Sequence, residues 1–445
     1  MPIYLMQSIR QGLIVLVFSI GAAFPIGCSA ALATAGKIEA EKITEVKLNG
    51  LRVRFGEPVQ VASRLAWEEG PQHRWVMNHP VPSIARFPTG ELLISYSLVS
   101  DYYDNPRNFS GLQFSSDNGK TWGPRHDFVA EHQAMVYTPE SDGSLMGIPA
   151  YLYPITQGDQ RNFEATYTRL ERGGARIILE PRKVKVVDWP WPVMGNIGYG
   201  FYGLEPVPGV APSNNFAPMV FDGNALAIGG RLLATGYGMK KGEKQYENFL
   251  MSSEDQGITW RYYAKIADAT GLPKEAEGPN ELGMIQLADG DLMSVFRVGG
   301  TKDWKLRRAY SHDQGRTWSK ADALPAYSVE PSLVRTANGT IALSTGRPGL
   351  RLWLSTDPRA MIWQDIDIVE LHNRWAPDKT YRINSFQDAN HPAGALLWQT
   401  SSYTEIVEIA PNRLLMVYDR SAKPQPENTA DLTRIFVIPI EIIRE

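Results

Sequence analysis

The sequence predicts an all-β fold of repeated short hairpins, closed into a six-bladed β-propeller. Three observations predict it. Glycine (39) and proline (31) are plentiful and long helical periodicity is absent, which favours short strands joined by turns. Six turn dipeptides stand between pairs of apolar runs: Thr89-Gly90, Asp142-Gly143, Gly229-Gly230, Asp289-Gly290, Asn338-Gly339 and Pro411-Asn412, spaced from about fifty to almost ninety residues. An octamer Ser-x-Asp-x-Gly-x-Thr-Trp recurs as Ser115 to Trp122, Ser253 to Trp260 and Ser311 to Trp318, with a worn copy at Ser355-Thr356-Asp357 and Trp363 displaced.

Taken in order, the chain begins with a segment apart from the fold. Arg10 precedes an apolar run, Gly12 to Ile26, too short for a comfortable membrane span. Small residues follow, with Ala31-Leu32-Ala33 or Ala33-Thr34-Ala35 as cleavage triplets, so residues 1–35 read as a secretory signal peptide. The mature chain is then secreted or periplasmic, with no membrane span of its own. Cys28, the single cysteine, lies inside this leader; lipid attachment there is the alternative, disfavoured by Pro25 three residues before it. The mature chain therefore has no disulfide and depends on packing.

Residues 36–445 read as one domain. A chain of 445 residues could hold three ordinary domains, but repeats override that arithmetic. A hydrophobic content of 43% supplies a large core. The formal charge of -3, from 45 basic and 48 acidic side chains, points to neither nucleic acid nor a membrane surface as partner. Residues 43–55 read as one strand and Arg434 to Ile443 as another, the two ends closing the ring and removing exposed edges. The long insert between Asp142 and Gly229, rich in Tyr, Pro and Trp near Trp189 to Pro208, reads as a blade with an elaborated loop over the mouth.

The octamers are folding devices. Their Asp accepts turn N–H groups, their Gly takes the positive-φ position and their Trp anchors the turn on its sheet. The hairpin around Asp289-Gly290 carries more than structure. Glu281 stands at the start of its first strand and Arg297 at the end of its second, so an antiparallel pair brings both to one end of the sheet.

With these repeats the chain resembles the sialidase (neuraminidase) superfamily with Asp-box repeats, six-bladed propellers that cleave terminal sugars, over roughly residues 70 to 435. The resemblance implies roles residue by residue. Asn280-Glu281 and Arg297 keep the family spacing of glutamate and arginine. Arg347 stands eight residues before Ser355, as a second family arginine does. Tyr403 and Asp419 match the nucleophile and the acid sixteen residues on, with Asp where the family usually has Glu. Asp104, or alternatively Asp101, matches the acid/base aspartate. One arginine of the family's triad is missing, its place taken by Pro80; Arg86 lies too far along the strand, and His79, Asn78 or Arg74 are candidates to fill the gap.

The chemistry explains these residue types. A sialic acid carries a carboxylate on its anomeric carbon, which would repel a carboxylate nucleophile; a neutral tyrosine avoids that. A phenol with a pKa of about 10 needs a base, the role of Glu281. Guanidinium groups match a carboxylate with two donors at once. The resemblance thus implies a retaining exo-glycosidase for a terminal acidic sugar on a glycan substrate. Two other readings stand beside it: a propeller acting on a uronic-acid- or rhamnose-containing polysaccharide, by hydrolysis or elimination, and a carbohydrate-binding propeller without turnover. None of the seven histidines falls in an HExxH spacing, and neither a phosphate loop nor a GxSxG elbow occurs, so no metal or cofactor is expected.

Overall fold

The computed structural model describes residues 43–63, 80–97, 108–130, 134–156, 161–192, 219–240, 242–299, 305–387, 396–421 and 433–445. The expected leader with Cys28, and the candidates Arg74, Asn78, His79, Asp101 and Asp104, lie outside them. So does most of the loop expected over the mouth, at 193–218. The described elements belong to one compact unit, Glu41–Glu445.

Strands β1 (Thr44–Leu48), β2 (Leu51–Phe55) and β3 (Val59–Ser63) come first. A four-stranded antiparallel sheet follows, of β4 (Ser83–Arg86), β5 (Leu92–Ser97), β6 (Asn108–Ser115) and β7 (His126–Ala130). Next come β8 (Ala134–Pro139), β9 (Leu145–Pro149), β10 (Tyr151–Pro154), β11 (Phe163–Leu170) and β12 (Ile177–Val186), then β13 (Met219–Ile228), β14 (Arg231–Gly238), β15 (Glu247–Ser253) and β16 (Thr259–Ala267). These two groups merge into one nine-stranded sheet, because β10 pairs with both β11 and β13, and β12 runs parallel to β16 at Lys185–Thr259 and Val186–Trp260.

Two regular four-stranded sheets follow. The first holds β17 (Gly278–Gln286), β18 (Leu292–Gly299), β19 (Lys305–Ser311) and β20 (Asp322–Tyr327). The second holds β21 (Ser332–Arg335), β22 (Ile341–Gly346), β23 (Leu350–Ser355) and β24 (Gln364–Asp367), leading into the helix α1 (Ile368–Trp375). A small hairpin, β25 (Ser385–Gln387) and β26 (Leu396–Trp398), precedes β27 (Glu405–Ala410), β28 (Arg413–Arg420) and β29 (Arg434–Arg444).

Each of the six turns named from the sequence joins the first and second strands of such a group. The first strands neighbour one another in succession: β8 beside β13, β13 beside β17, β17 beside β21, β21 beside β27 and β27 beside β4. That is a propeller arrangement, with sheets packed face to face around an axis. A sheet covered on both faces needs apolar side chains on both, so β18 reads Leu-Met-Ser-Val-Phe and is buried along that run instead of alternating.

The chain ends meet as expected, with one correction. β29 pairs with β28 on one side and with β2 and β3 on the other. Residues 43–55 form a hairpin and not a single strand, because Asn49-Gly50 is itself a hairpin turn, with Gly50 at φ 73°. Trp189, expected in the mouth loop, is fully buried, its ring edge-on to Phe249.

Candidate active site

The β17–β18 hairpin builds the first half of the site. Gly290 takes φ 93° at the turn, and the register pairs Asn280 with Arg297 but Leu282 with Phe296. Glu281 is the extra residue between those pairs, a bulge with its own φ at 32°. Bulges of this kind re-aim a side chain beside functional sites. The re-aimed Glu281 carboxylate accepts from Arg297 Nη1 at 2.9 Å and from the Glu330 backbone N–H at 3.2 Å. Burial would raise its pKa, but the Arg297 charge and hydrogen bond, with help from Tyr403 and the Arg347 charge, hold it below the ordinary carboxylate value. Burial in turn disfavours the charge on Arg297, and Glu281 and Glu277 restore it, raising its pKa.

The second half comes from the segment ahead of β27. Tyr403 Oη donates to Glu281 Oε1 at 2.9 Å, across 122 residues of sequence. Ser402, with φ 72°, lies between Ser401 and Tyr403, and Thr404 Oγ1 donates to Ser344 Oγ of β22 at 3.0 Å. Asp419, expected among the substrate-binding residues, lies beneath this segment at 0% exposure. Its carboxylate accepts from Ser401 N–H at 2.9 Å, from the Ser401 hydroxyl, and from Thr400 Oγ1 at 3.2 Å. The carboxylate is therefore spent on the loop that carries Tyr403. Burial pushes its pKa up to about 6 against those hydrogen bonds.

Arg347 follows the last residue of β22, with φ 52°, and its Nη2 donates to the Ser401 carbonyl at 3.3 Å. Tyr403, Glu281, Arg297 and Arg347 thus converge at one end of the sheets. Pro80, where the family places an arginine, is buried, and its carbonyl accepts from Ser97 N–H at 2.7 Å.

Four acidic residues around this group carried no signal in the sequence. Glu277 sits 3.3 Å from Arg297 Nη2. Asp222, Glu330 and Glu405 line a narrow cavity beneath Glu281, together with Leu282, Thr404 and Pro331. Asp222 accepts from Leu282 N–H and Gly223 N–H, each at 2.8 Å. Glu405 accepts from Ser83 Oγ and Ile84 N–H, each at 2.6 Å. Burial raises the pKa of all three, Glu405 to about 7, and the Glu281 charge adds to the effect on Asp222 and Glu330. Their common trait is position near the start of a group's first strand, which becomes visible only once the turns are counted off. Among the described residues, no group of three or more His, Cys, Asp or Glu is arranged to hold a metal ion.

Comparison with known proteins agrees with this architecture. Residues 215–408 match the BNR repeat-like domain. No curated protein matches the chain. Among solved structures, a protein of unknown function from Dyadobacter fermentans is 16% identical with a TM-score of 0.57, covering 89% of this chain and 100% of its own. An alpha-L-arabinofuranosidase of Fusarium graminearum, solved with arabinobiose, is 12% identical with a TM-score of 0.53, covering 88% and 98%. A Hadza microbial sialidase is 13% identical with a TM-score of 0.51, covering 83% and 66%. At these identities the likeness is one of fold. Sequence over the central repeats and fold over nearly the whole chain agree: residues 215–408 match the BNR repeat-like domain, and the chain shares the fold of these solved structures.

Proposed function

We propose that the protein is a secreted, six-bladed glycoside hydrolase that releases a terminal acidic sugar with retention, Tyr403 being the nucleophile and Glu281 its base. The observation that carries this reading is the 2.9 Å hydrogen bond from Tyr403 Oη to Glu281 Oε1. A carboxylate held ionised by Arg297 is ready to take the phenol's proton as the oxygen attacks the anomeric carbon. The leaving oxygen then takes a proton from an acid on the other side of the sugar, a role we assign to Asp104 or Asp101. That residue, now a carboxylate, next draws a proton from water, whose oxygen bonds to the anomeric carbon and displaces Tyr403, which takes its proton back from Glu281. Arg347 and Arg297 flank the position where the sugar's anion would lie, and His79 is the candidate to supplement them. Asp419 acts through the Tyr403 loop.

The test is turnover of a fluorogenic α-sialoside by the wild type and by Tyr403→Phe. The expected result is a loss of roughly 10³-fold or more in kcat with the fold intact. Equal turnover by both would remove the nucleophile. One observation favours a second reading, action on a uronic-acid- or rhamnose-containing polysaccharide: Pro80 leaves the anion subsite one guanidinium short. An unsaturated uronate absorbing in the ultraviolet among the products would identify elimination. Sugar binding without turnover of any acidic glycan would instead mark a carbohydrate-binding propeller.

A further inference from the structure

We propose that Glu277 and Gly299 set the substrate class of this site: Glu277 withdraws Arg297 from the substrate's anion and offers a carboxylate oxygen to a sugar hydroxyl. The proposal rests on the glycosidase reading above and refines its specificity. Arg297 is held between two carboxylates, Glu281 at 2.9 Å and Glu277 at 3.3 Å. Two anions on one guanidinium leave little of its charge for a third.

Glu277 is fixed in that place. Its Oε2 accepts from Asn280 Nδ2 at 3.2 Å. Its backbone N–H donates to the Gly299 carbonyl at 2.9 Å, and its own carbonyl accepts from Tyr246 N–H at 2.7 Å. The carboxylate lies where a side chain of residue 299 would be, since a Cβ there would fall 1.9 Å from Glu277 Oε2. Gly299 therefore supplies the seat. Glu277 keeps 22% of its side chain exposed, and among the described residues Oε1 receives no hydrogen bond. A partly exposed acceptor beside Arg297 suits a hydroxyl donor of a sugar ring.

Arg347 differs from Arg297. No described carboxylate lies within ion-pair distance of it, and its hydrogen bond goes to the Ser401 carbonyl. With Pro80 in place of a further arginine, Arg347 is the one guanidinium of the Tyr403 group that no carboxylate pairs among the described residues, and Glu277 adds a hydroxyl acceptor. The substrate class that fits is a glycoside with one acidic group directed at Arg347 and a free ring hydroxyl directed at Glu277.

The experiment titrates free N-acetylneuraminic acid and its neutral methyl ester into the full chain by calorimetry, using wild type, Glu277→Gln and Gly299→Ala. Removing the Glu277 charge, or displacing its carboxylate with a methyl group, should tighten binding of the acid at least tenfold relative to the ester. Two variants acting by different routes guard against a folding defect in one. An unchanged or lowered acid-to-ester ratio in both, including no detectable binding by either, overturns the proposal. The glycosidase reading is judged separately, by turnover in the wild type against Tyr403→Phe.

Discussion

At residue scale, the proposed mechanism rests on the Arg297–Glu281–Tyr403 chain, which would decide whether a phenol can attack at neutral pH. Glu281 must be ionised to accept the proton, and the Arg297 charge is what overcomes its burial. Arg297→Gln should therefore raise the Glu281 pKa and move the acid limb of the kcat/KM profile to higher pH. A profile that loses height without moving would mean that Arg297 does not tune the base. Half of this arrangement was legible in the sequence. The spacing of Glu281 and Arg297 around Asp289-Gly290 places both at one end of a hairpin, and the observed register does so. Glu277 was not legible, although it lies only four residues before Glu281. An isolated glutamate beside a strand usually faces water, and only the bare Cα of Gly299 across the sheet shows why this one turns inward. Where the resemblance has a longer acid steadying the arginine that Pro80 replaces, this chain has Asp419. One methylene fewer and three nearby donors, on Thr400 and Ser401, hold it under the loop.

The octamers show at element scale how a local sequence becomes a repeated turn. In each intact copy the Ser Oγ donates to the Asp and receives the Gly N–H, while the Asp accepts from the Thr N–H four residues on. The glycines sit at φ 81°, 91° and 90°. Each turn lies between the third and fourth strands of its group, away from the Tyr403 end. The worn copy keeps part of the device: Asp357 still accepts from Met361 N–H, four residues on, at 3.0 Å. Trp260 donates to the Gly257 carbonyl at 2.7 Å and is fully buried. We predict that Asp255→Ala costs about 1–2 kcal/mol, because it strands the Thr259 N–H and the Ser253 hydroxyl. The readout is a lowered melting temperature with unchanged KM. A change in KM without loss of stability would place the octamer in the site, against its position in the fold.

Closure and buried charge belong to the whole molecule. Leu51 and Val53 of β2 are 0% exposed and Phe55 is 1% exposed. Each such side chain contributes about 1.5–3 kcal/mol on burial, a sum comparable to the net stability of a domain. Deleting residues 43–63 should leave the β29 edge unpaired and drive aggregation, seen by size-exclusion chromatography. A monodisperse, folded truncation would show that the ends do not close the structure. The buried carboxyl groups make the second prediction. Burial raises Glu405 to about 7 and Asp419 to about 6, whereas the unfolded chain titrates near the usual value of about 4. Between those limits the folded state binds protons that the unfolded state has released, so stability falls as pH rises from about 4 to about 7. Thermal melts should drop between pH 5 and 7.5, and Glu405→Gln, which stays neutral, should flatten part of the slope. A melting temperature that rises through that window would refute the assignment.

By itself the sequence determined the all-β class, the six first hairpins, the octamer turns and the meeting of the two chain ends. Each is written in neighbouring residues: a turn dipeptide, a strand-length apolar run, an Asp four residues before the N–H it accepts. It also indicated the Glu281–Arg297 pair, which one hairpin spans. Only the tertiary structure decided that Tyr403 reaches Glu281, that Asp222, Glu330 and Glu405 share one cavity, and that Glu277 pairs with Arg297. Those relations join different sheets around an axis, so they depend on how the sheets pack and leave no spacing in the chain.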